Sequence, residues 1–582
     1  SDHNIASEVA AIASSFGYEN AKEVSNEYEV FMFQRPKVAD VVSGELLEAF
    51  RAYLKKRARI SGKENRNGQQ QPRQGYESAE NATTPTKTPG RGAKRKSSME
   101  GFKTPVTLPS GHSPSAKTPG SATSALLQAT PSTSFKNRTQ RGKVQVQFNG
   151  HLQEPLPEAE AASAAHRVPQ PLGPTLPANT RYGGDTLKSK AMYIESRILN
   201  FIEAFAASRG REATYPVGAP SQELVCVAGR IVCDSDGRLN NQSVLLEGSM
   251  RYSGGLRVRI DLSKVAPTSL LPGQIVVLEG FNPTGDCFIA TELVSCIPET
   301  AKFQESRTVE PHSVVFASGP FCVTENLAYE PLKELLEYCK RKNPSLLVLL
   351  GPFVDAEHPE IASGHLDICF QELFSQVRSD IISFIKSENI ETKVLLLPSP
   401  RDVHHHPSYP QVPFQSEETT PDPPELFCMA NPSTWSFAGA TYGATSVDIL
   451  RHMSSTDLRR GPLDRMTQLG KYMLGQRSYY PLFPAFSGVN FDSSLAAEHV
   501  KIPAVPHVLV APSDLGPCAK PVDSGPDNRD PVTSAESCET LLLNPGRLTK
   551  GSGGGTFAHI FVEGHERSGH DHRHIRVDII RI

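Results

Sequence analysis

From residue 313 onward the chain alternates two periodicities, and this alternation restricts its fold more than any other feature. "SVVFAS" (313–318), "SLLVLLGPFVD" and "KVLLLPSPRD" are short apolar runs, whereas "YEPLKELLEYCKRK" and "LDICFQELFSQVRSDIISFIKSE" between them repeat apolar residues at helical spacing. Unbroken apolar strands are buried on both faces, so other layers must cover them. Strand–helix–strand units in succession imply a largely parallel sheet in an α/β domain. In such sheets functional residues gather just past the C-terminal strand ends.

The preceding region has a different period. "ELVCVAGRIVCDSDGRLNNQSVLLEG", "LRVRIDLSKV" and "GQIVVLEGFNPTGDCFIATELV" alternate at period two and are punctuated by Asp236-Gly237, Pro272-Gly273 and Thr284-Gly285. Roughly five short strands in such a space read as a small barrel, and the spacing resembles an OB-fold. OB-folds often bind single-stranded nucleic acid through exposed aromatic and basic side chains. Here the aromatics are few, chiefly Tyr252, Phe281 and Phe288, which favours a structural or protein-facing barrel. Weak contact with DNA, with Tyr252 and Arg257 as the test positions, stays open. A helix leads into the barrel: in "DTLKSKAMYIESRILNFIEAFAAS", Asp185 can cap, and Ala191, Ile194, Ile198, Phe201, Ile202 and Phe205 recur at helical spacing.

Farther upstream, composition separates a tether from a small helical unit. In "SGELLEAFRAYLKKRAR", Ser43 can cap a helix whose stripe is Leu46, Leu47, Phe50, Tyr53 and Leu54, and whose basic end, Lys55 to Arg59, complements the helix C-terminus. Beyond it the chain is dense in Pro, Ser, Thr and Gly and too poor in large apolar residues to offset the entropy of ordering. Residues 81–120 hold seven basic residues against the single acid Glu100, a local charge of +6. Thr84, Thr88, Thr104, Ser113, Thr118 and Thr130 each precede proline, the pattern preferred by proline-directed, cell-cycle-type kinases. Each phosphate there would remove about 1.5 to 2 charges from a basic tether. The expected organisation is a helical partner-docking domain (1–75), a disordered linker (76–180), a helical lead-in (181–210), an OB-fold domain (211–300) and an α/β domain (301–582).

The whole chain of 582 residues carries a net charge of −3, so no global electrostatic case for nucleic-acid binding exists. Ten cysteines lie between Cys226 and Cys538 without a CxxC pair, as suits reduced thiols rather than a disulfide framework or a zinc ribbon. With no signal peptide and no apolar run of about 18 residues, the expectation is a soluble intracellular protein without membrane contact.

The strand ends invite comparison with a calcineurin-like phosphoesterase, whose two metals are held by D-x-H, G-D-x-x-D and G-N-H-[DE] after successive strands and finally by G-H-x-H. Such ligands must balance two dications and activate a water. After the first strand stands Ser318-Gly319-Pro320; after the second, Gly351-Pro352-Phe353-Val354-Asp355; after the third, Ser399-Pro400-Arg401-Asp402. "HVLVAPSDLGP", expected as the last sheet strand, ends in Ser513-Asp514-Leu515 where G-H-x-H belongs. A fixed guanidinium at 401 would repel a dication at any accessible pH. It needs a carboxylate instead, with Asp355 or Asp402 available. A true G-H-x-H does occur, Gly569-His570-Asp571-His572, but in the polar stretch 565–574 before the final strand, where a solvated hairpin tip is expected. His404-His405-His406 sit in a proline-rich insertion and could hold a stray ion without a designed role. The ligand inventory points to a non-enzyme with neither metal nor cofactor. The alternative is a metal-dependent phosphoesterase or nuclease built on an atypical set such as Asp355, Asp402, Asp514 and nearby histidines.

"FASGPF", "LLGPFVDAEHPEI", "LLLPSPRDVHH", "QRSYYPLFP", "VAPSDLGPCAKPV" and "LLLNPGRLTKGSGGGTFAHI" together resemble the B-subunit family, the second-largest accessory subunits, of the DNA polymerase alpha–primase complex. The resemblance spans about 185 to 582. It implies an OB domain joined to an inactivated calcineurin-like phosphoesterase domain of mixed sheets and flanking helices. It also implies a nuclear scaffold that holds the zinc-bearing C-terminal domain of the polymerase's catalytic chain next to the primase subunits, and an N-terminal domain that reaches other replication factors. Ser318, Pro320, Pro352, Asp355, Pro400, Arg401, Asp402, Ser513 and Leu515 are then degenerate former metal-site positions. Asn544-Pro545-Gly546-Arg547 and Gly553-Gly554-Gly555 are expected to build a tight loop beside that vestigial cleft.

Overall fold

The computed structural model describes residues 132–153, 167–296 and 308–582, together with Phe50, except short stretches at 236, 267–268, 365, 388–390, 417–421, 461–463, 524–538 and 567–571. The chain divides into two units, 1–113 and 114–582. In the first, the described residue is Phe50, helical and 2 % exposed. The candidate phosphorylation positions Thr84, Thr88, Thr104, Ser113, Thr118 and Thr130 lie outside the described residues, as do Gly569, His570 and Asp571.

In the second unit, order begins inside the stretch that composition assigns to the linker. A turn of helix, α1 (Thr133–Lys136), and a strand, β1 (Val144–Phe148), pack on the body, and β2 (Gln170–Leu172) follows. Phe135 is 3 % exposed, the Ser132 backbone N–H donates to Glu330, and Arg138 Nε donates to the carbonyl of Ile582 at 2.8 Å. Linker composition hid this because the signal is short: one phenylalanine and the period-two "VQVQF". Next comes α2 (Leu187–Arg209), which buries Tyr193, Ile198, Phe201, Ile202 and Phe205. Its cap is Thr186 rather than Asp185; Thr186 and Ser189 form a reciprocal capping box, and Asp185 accepts from the Ser189 hydroxyl.

Five strands close the expected barrel: β3 (Ser221–Cys233), β4 (Val244–Gly248), β5 (Arg257–Asp261), β6 (Ile275–Asn282) and β7 (Cys287–Val294), in the order β3-β4-β5-β7-β6. Phe288 is fully buried inside it, beside Ile231, Leu246 and Leu278. One of the three candidate stacking aromatics is therefore core.

The remainder is a four-layer body. Its elements are β8 (His312–Ser318), α3 (Glu330–Lys342), β9 (Leu346–Leu350), α4 (Phe370–Ser387), β10 (Lys393–Leu397), β11 (Leu426–Cys428), β12 (Ser433–Phe437), β13 (Ala440–Ala444), α5 (Ile449–Thr456), α6 (Arg465–Gly475), α7 (Ser493–His499), β14 (Val508–Val510), β15 (Cys518–Asp523), β16 (Glu539–Asn544), β17 (Thr556–Val562) and β18 (Ile575–Arg581). A seven-stranded sheet runs β1-β18-β17-β8-β9-β10-β11, and a six-stranded sheet runs β15-β16-β14-β13-β12-β2. The pairs β8–β9, β9–β10 and β10–β11 are parallel, whereas β17 and β18 join antiparallel, so the sheet is mixed. β14, expected as the last strand, lies centrally between β13 and β16.

Burial explains the unbroken apolar runs. Val314 and Phe316 of β8 face the second sheet, with Trp435, Tyr442 and Val510, while Val315 and Ala317 face the layer of α3 and α4. Both faces are dry, so alternation disappears. Among the described residues no helix is long and apolar enough to cross a membrane.

Candidate functional site

The strand ends of β8, β9 and β10 meet the loop after β14 and the turn after β16, and the side chains there form ion pairs. Arg401 donates from Nε to Asp355 Oδ1 at 2.9 Å and from a terminal nitrogen to Asp355 Oδ2 at 2.6 Å, with Glu357 at 2.9 Å. This planar fork matches a carboxylate on both oxygens. Asp355 is 3 % exposed, so without the arginine its charge would be stranded. Of the two carboxylates the sequence offers to Arg401, Asp355 takes it.

Asp402 does something else. Its carboxylate accepts from the backbone N–H groups of Phe353, Val354 and Ser399, which ties the loops after β9 and β10 together. Burial pushes its carboxyl up to about 7, against those donors, which favour the charged form. Gly351 permits the approach, because a Cβ there would collide with Asp402 and Ser399. The peptides preceding Pro320 and Pro352 are both cis.

A second arginine completes the cleft. Arg547, 7 % exposed, reaches from the turn after β16 to donate to the Ser318 hydroxyl at 3.0 Å and to Asp514 at 3.3 Å, with Asp448 at 3.6 Å. Arg451 pairs with the other Asp514 oxygen at 2.8 Å. Burial opposes the charge on Asp514, but Arg547 and Arg451 outweigh it and hold its carboxyl below the usual range. Asn544 shapes the turn: its Oδ1 accepts from Ser513 and Gly546 N–H groups, and its Nδ2 donates to the carbonyl of Leu515. A Cβ on Gly555 would collide with the Arg547 carbonyl, so the glycine run allows the close approach of this loop. The Pro320 carbonyl accepts from Thr549, and Pro400 begins the turn that presents Arg401.

The predicted positions Ser318, Pro320, Pro352, Asp355, Pro400, Arg401, Asp402, Ser513 and Leu515 thus gather at one end of the sheets. Each acid is engaged by a cation or by backbone donors. Among the described residues no group of three or more histidine, cysteine or acidic side chains could hold a metal ion.

The histidines play other parts. His404 stacks on Phe374 at 4.0 Å and on Phe414, and burial pushes its imidazole down to about 3. His405 Nε2 lies 2.9 Å from the Val412 carbonyl, and His406 packs against Tyr182. The three rings therefore have separate packing roles. His572 differs from a solvated tip: its Nδ1 is 2.7 Å from a Glu539 oxygen, and its ring packs on Phe148.

Sequence reasoning placed Arg547 in the loop but missed its ion pairs with Asp448 and Asp514. No spacing signal could have found them, since Asp514 is 33 residues from Arg547, Asp448 farther still, and the Ser318 hydroxyl that the same arginine reaches is 229 residues away.

Comparison with known proteins agrees with this architecture. Residues 314–520 match the family described as the B subunit of DNA polymerases alpha and epsilon, and residues 194–296 match the one described as the OB domain of the DNA polymerase alpha B subunit. The chain is 33 % identical to the DNA polymerase alpha B subunit of Mus musculus over 489 residues, covering 82 % of this chain and 77 % of the mouse protein. For the Rattus norvegicus protein of the same name the figures are 32 % over 514 residues, 86 % and 81 %. For that of Schizosaccharomyces pombe they are 33 % over 402 residues, 64 % and 66 %.

Proposed function

The chain belongs to the family of DNA polymerase alpha B subunits, and on that premise we propose that it is a non-catalytic nuclear scaffold which holds the zinc-bearing C-terminal domain of the polymerase's catalytic chain next to the primase subunits. The body from 301 to 582 is an inactivated calcineurin-like phosphoesterase domain, and the barrel within 211–300 is its rigid partner. Residues 1–75 are a helical module that docks other replication factors, and phosphorylation of Thr84, Thr88, Thr104, Ser113, Thr118 or Thr130 in the linker adjusts that reach through its charge.

The observation that carries this reading is the Arg401–Asp355 fork. A carboxylate at the end of β9 that could bind a cation is held instead by a built-in one, and Asp402 and Asp514 are likewise committed to backbone N–H groups and to arginines. The phosphoesterase alternative needs those same three acids free.

Two measurements test the proposal. The full chain is expected to co-purify at 1:1 with the C-terminal region of the polymerase's catalytic chain; failure to associate would sink it. Metal analysis of the purified chain, with phosphodiester hydrolysis under manganese, covers the alternative. Two stoichiometric metals with turnover would reverse the assignment.

A further inference from the structure

The docked segment 132–148 is charged on one side of the ledger only: it carries Lys136, Arg138, Arg141 and Lys143 and no acid, a local charge of +4. The surface that receives it is acidic. The Ser132 N–H donates to Glu330 at 3.0 Å, the Ser132 hydroxyl donates to Glu325 at 2.5 Å, and Arg138 and Arg141 both pair with Glu334. Farther along, the Gly142 N–H donates to the Arg581 carbonyl at 2.9 Å and β1 pairs with β18.

Apolar anchoring of this segment is slight. Phe135 is its one buried apolar side chain, Val146 and Phe148 are partly buried, and Val144 is 40 % exposed. A bulge interrupts the β1–β18 register between Val144 and Val146. A segment with a single buried apolar anchor and mostly polar attachments opens far more readily than β8 and β9, every residue of which is buried.

We propose that residues 132–148 are a strap held on the body largely by charge, and that a phosphate on Thr130 releases it. This rests on the linker phosphorylation proposed above and adds what one of those phosphates does. Thr130-Pro131 directly precedes Ser132, and two residues of chain span at most about 7 Å. That keeps position 130 within a Debye length, about 8 Å at physiological salt, of Ser132, where Glu325 and Glu330 stand. The phosphate's roughly two negative charges would cut the strap's charge by about half and face carboxylates on the body. The exposed Lys333 of α3 softens the repulsion, but it is one cation against Glu325, Glu330 and Glu334. Attraction to the strap's own cations acts in the docked and the released strap alike, and where it draws Arg138 or Arg141 away from Glu334 it favours release. Release would also lengthen the tether of the N-terminal module from residues 76–131 to residues 76–166, and the reach of a flexible chain grows with the square root of its length, here about 1.3-fold.

Hydrogen exchange of the full chain tests the proposal, read over residues 142–148 with phosphoserine installed at 130 during translation and Thr130→Ser as the unmodified control. The expected result is exchange on the order of three- to tenfold faster in the phosphorylated chain, while β8 and β9 keep their protection. The gain should shrink in 1 M salt, where the Debye length is about 3 Å, and in the double variant Glu325→Gln, Glu330→Gln, which keeps the acceptor oxygens without the charge. Equal exchange in the two chains overturns the proposal. So does a gain that salt and the glutamine variant leave untouched, the mark of a steric disturbance rather than of charge. None of these readouts depends on binding to the polymerase's catalytic chain. A proline-directed kinase that modifies Thr84 or Thr88 but never Thr130 overturns the inference and leaves the linker reading standing; one that modifies no linker position overturns that reading and the inference with it.

Discussion

Two arginine–carboxylate clusters, one on the barrel and one in the cleft, use the same chemistry with opposite arithmetic. On the barrel a single acid, Glu247, lies between two cations, bound to Arg230 and Arg257 at 2.6 Å each. In the cleft one buried cation, Arg547, lies between two acids, Asp448 and Asp514, with the exposed Arg451 on the outer oxygen of Asp514. The barrel residues are direct cross-strand neighbours, Arg230 opposite Glu247 and Glu247 opposite Arg257, so pairing of adjacent strands brings them together. The cleft residues come from the cap of α5, the loop after β14 and the turn after β16. The barrel cluster decorates strands that would pair anyway. The cleft cluster ties together segments that otherwise have no reason to meet.

The largest effect should come from the buried cation. Arg547→Ala takes the cation from Asp448, 11 % exposed, leaving it only the backbone N–H groups of Arg451 and Asp514, and removes the donor to the Ser318 hydroxyl; breaking such a buried pair costs about 3–5 kcal/mol. Denaturant unfolding of that variant measures it. A loss under about 1 kcal/mol would mean that the cleft cluster is no more consequential than a surface pair.

Arg401→Ala should cost less, on the order of 1–3 kcal/mol, because the arginine is 31 % exposed and water can reach the abandoned Asp355. An unchanged thermal midpoint would show that the fork does not support the loops. Asp355→Asn in the Arg401→Ala background sharpens the point: it should recover part of the loss, since the stranded charge is gone.

A pH dependence separates packing from charge. His404 is held neutral, its imidazole pushed down to about 3, while in the unfolded chain it titrates near the ordinary value of about 6.5. As pH falls below about 6.5 the unfolded state takes up a proton that the folded state refuses, so stability is lost progressively toward pH 3. His404→Phe keeps the stack on Phe374 and should flatten that part of the stability profile. Equal slopes in both proteins would show that the ring is accessible to protons.

The smallest effect is expected on the barrel. Arg257, 54 % exposed, should cost no more than about 1 kcal/mol on replacement by alanine, because Glu247 keeps Arg230. A loss matching that of Arg547→Ala would erase the contrast between the clusters.

The barrel and the apolar strands were legible because their signal is local. Period-two alternation announced β3 to β7, and unbroken runs announced β8, β9 and β10. The candidate cleft was legible in part: the strand-end rule located Ser318, Asp355, Arg401 and Asp402, but which acid served which arginine was open. Asp402 faces inward on three backbone N–H groups and Asp355 lies within reach of the fork, a choice made by loop geometry. The docked segment 132–148 was hidden, since its evidence is one buried phenylalanine and an edge strand whose partner, β18, lies more than four hundred residues away.

By itself the sequence determined periodicity, the change from barrel to α/β body, the non-ligand residue types at the strand ends, and the motifs that place the chain in its family. All of these are properties of neighbouring residues, and local sterics and burial act on neighbours directly. Only the tertiary structure decided that Arg547 would meet Ser318 and that β14 would be central and not last. The order of strands in a sheet fixes which distant segments become adjacent, and that order comes from packing both faces of two sheets at once, which no single stretch of chain encodes.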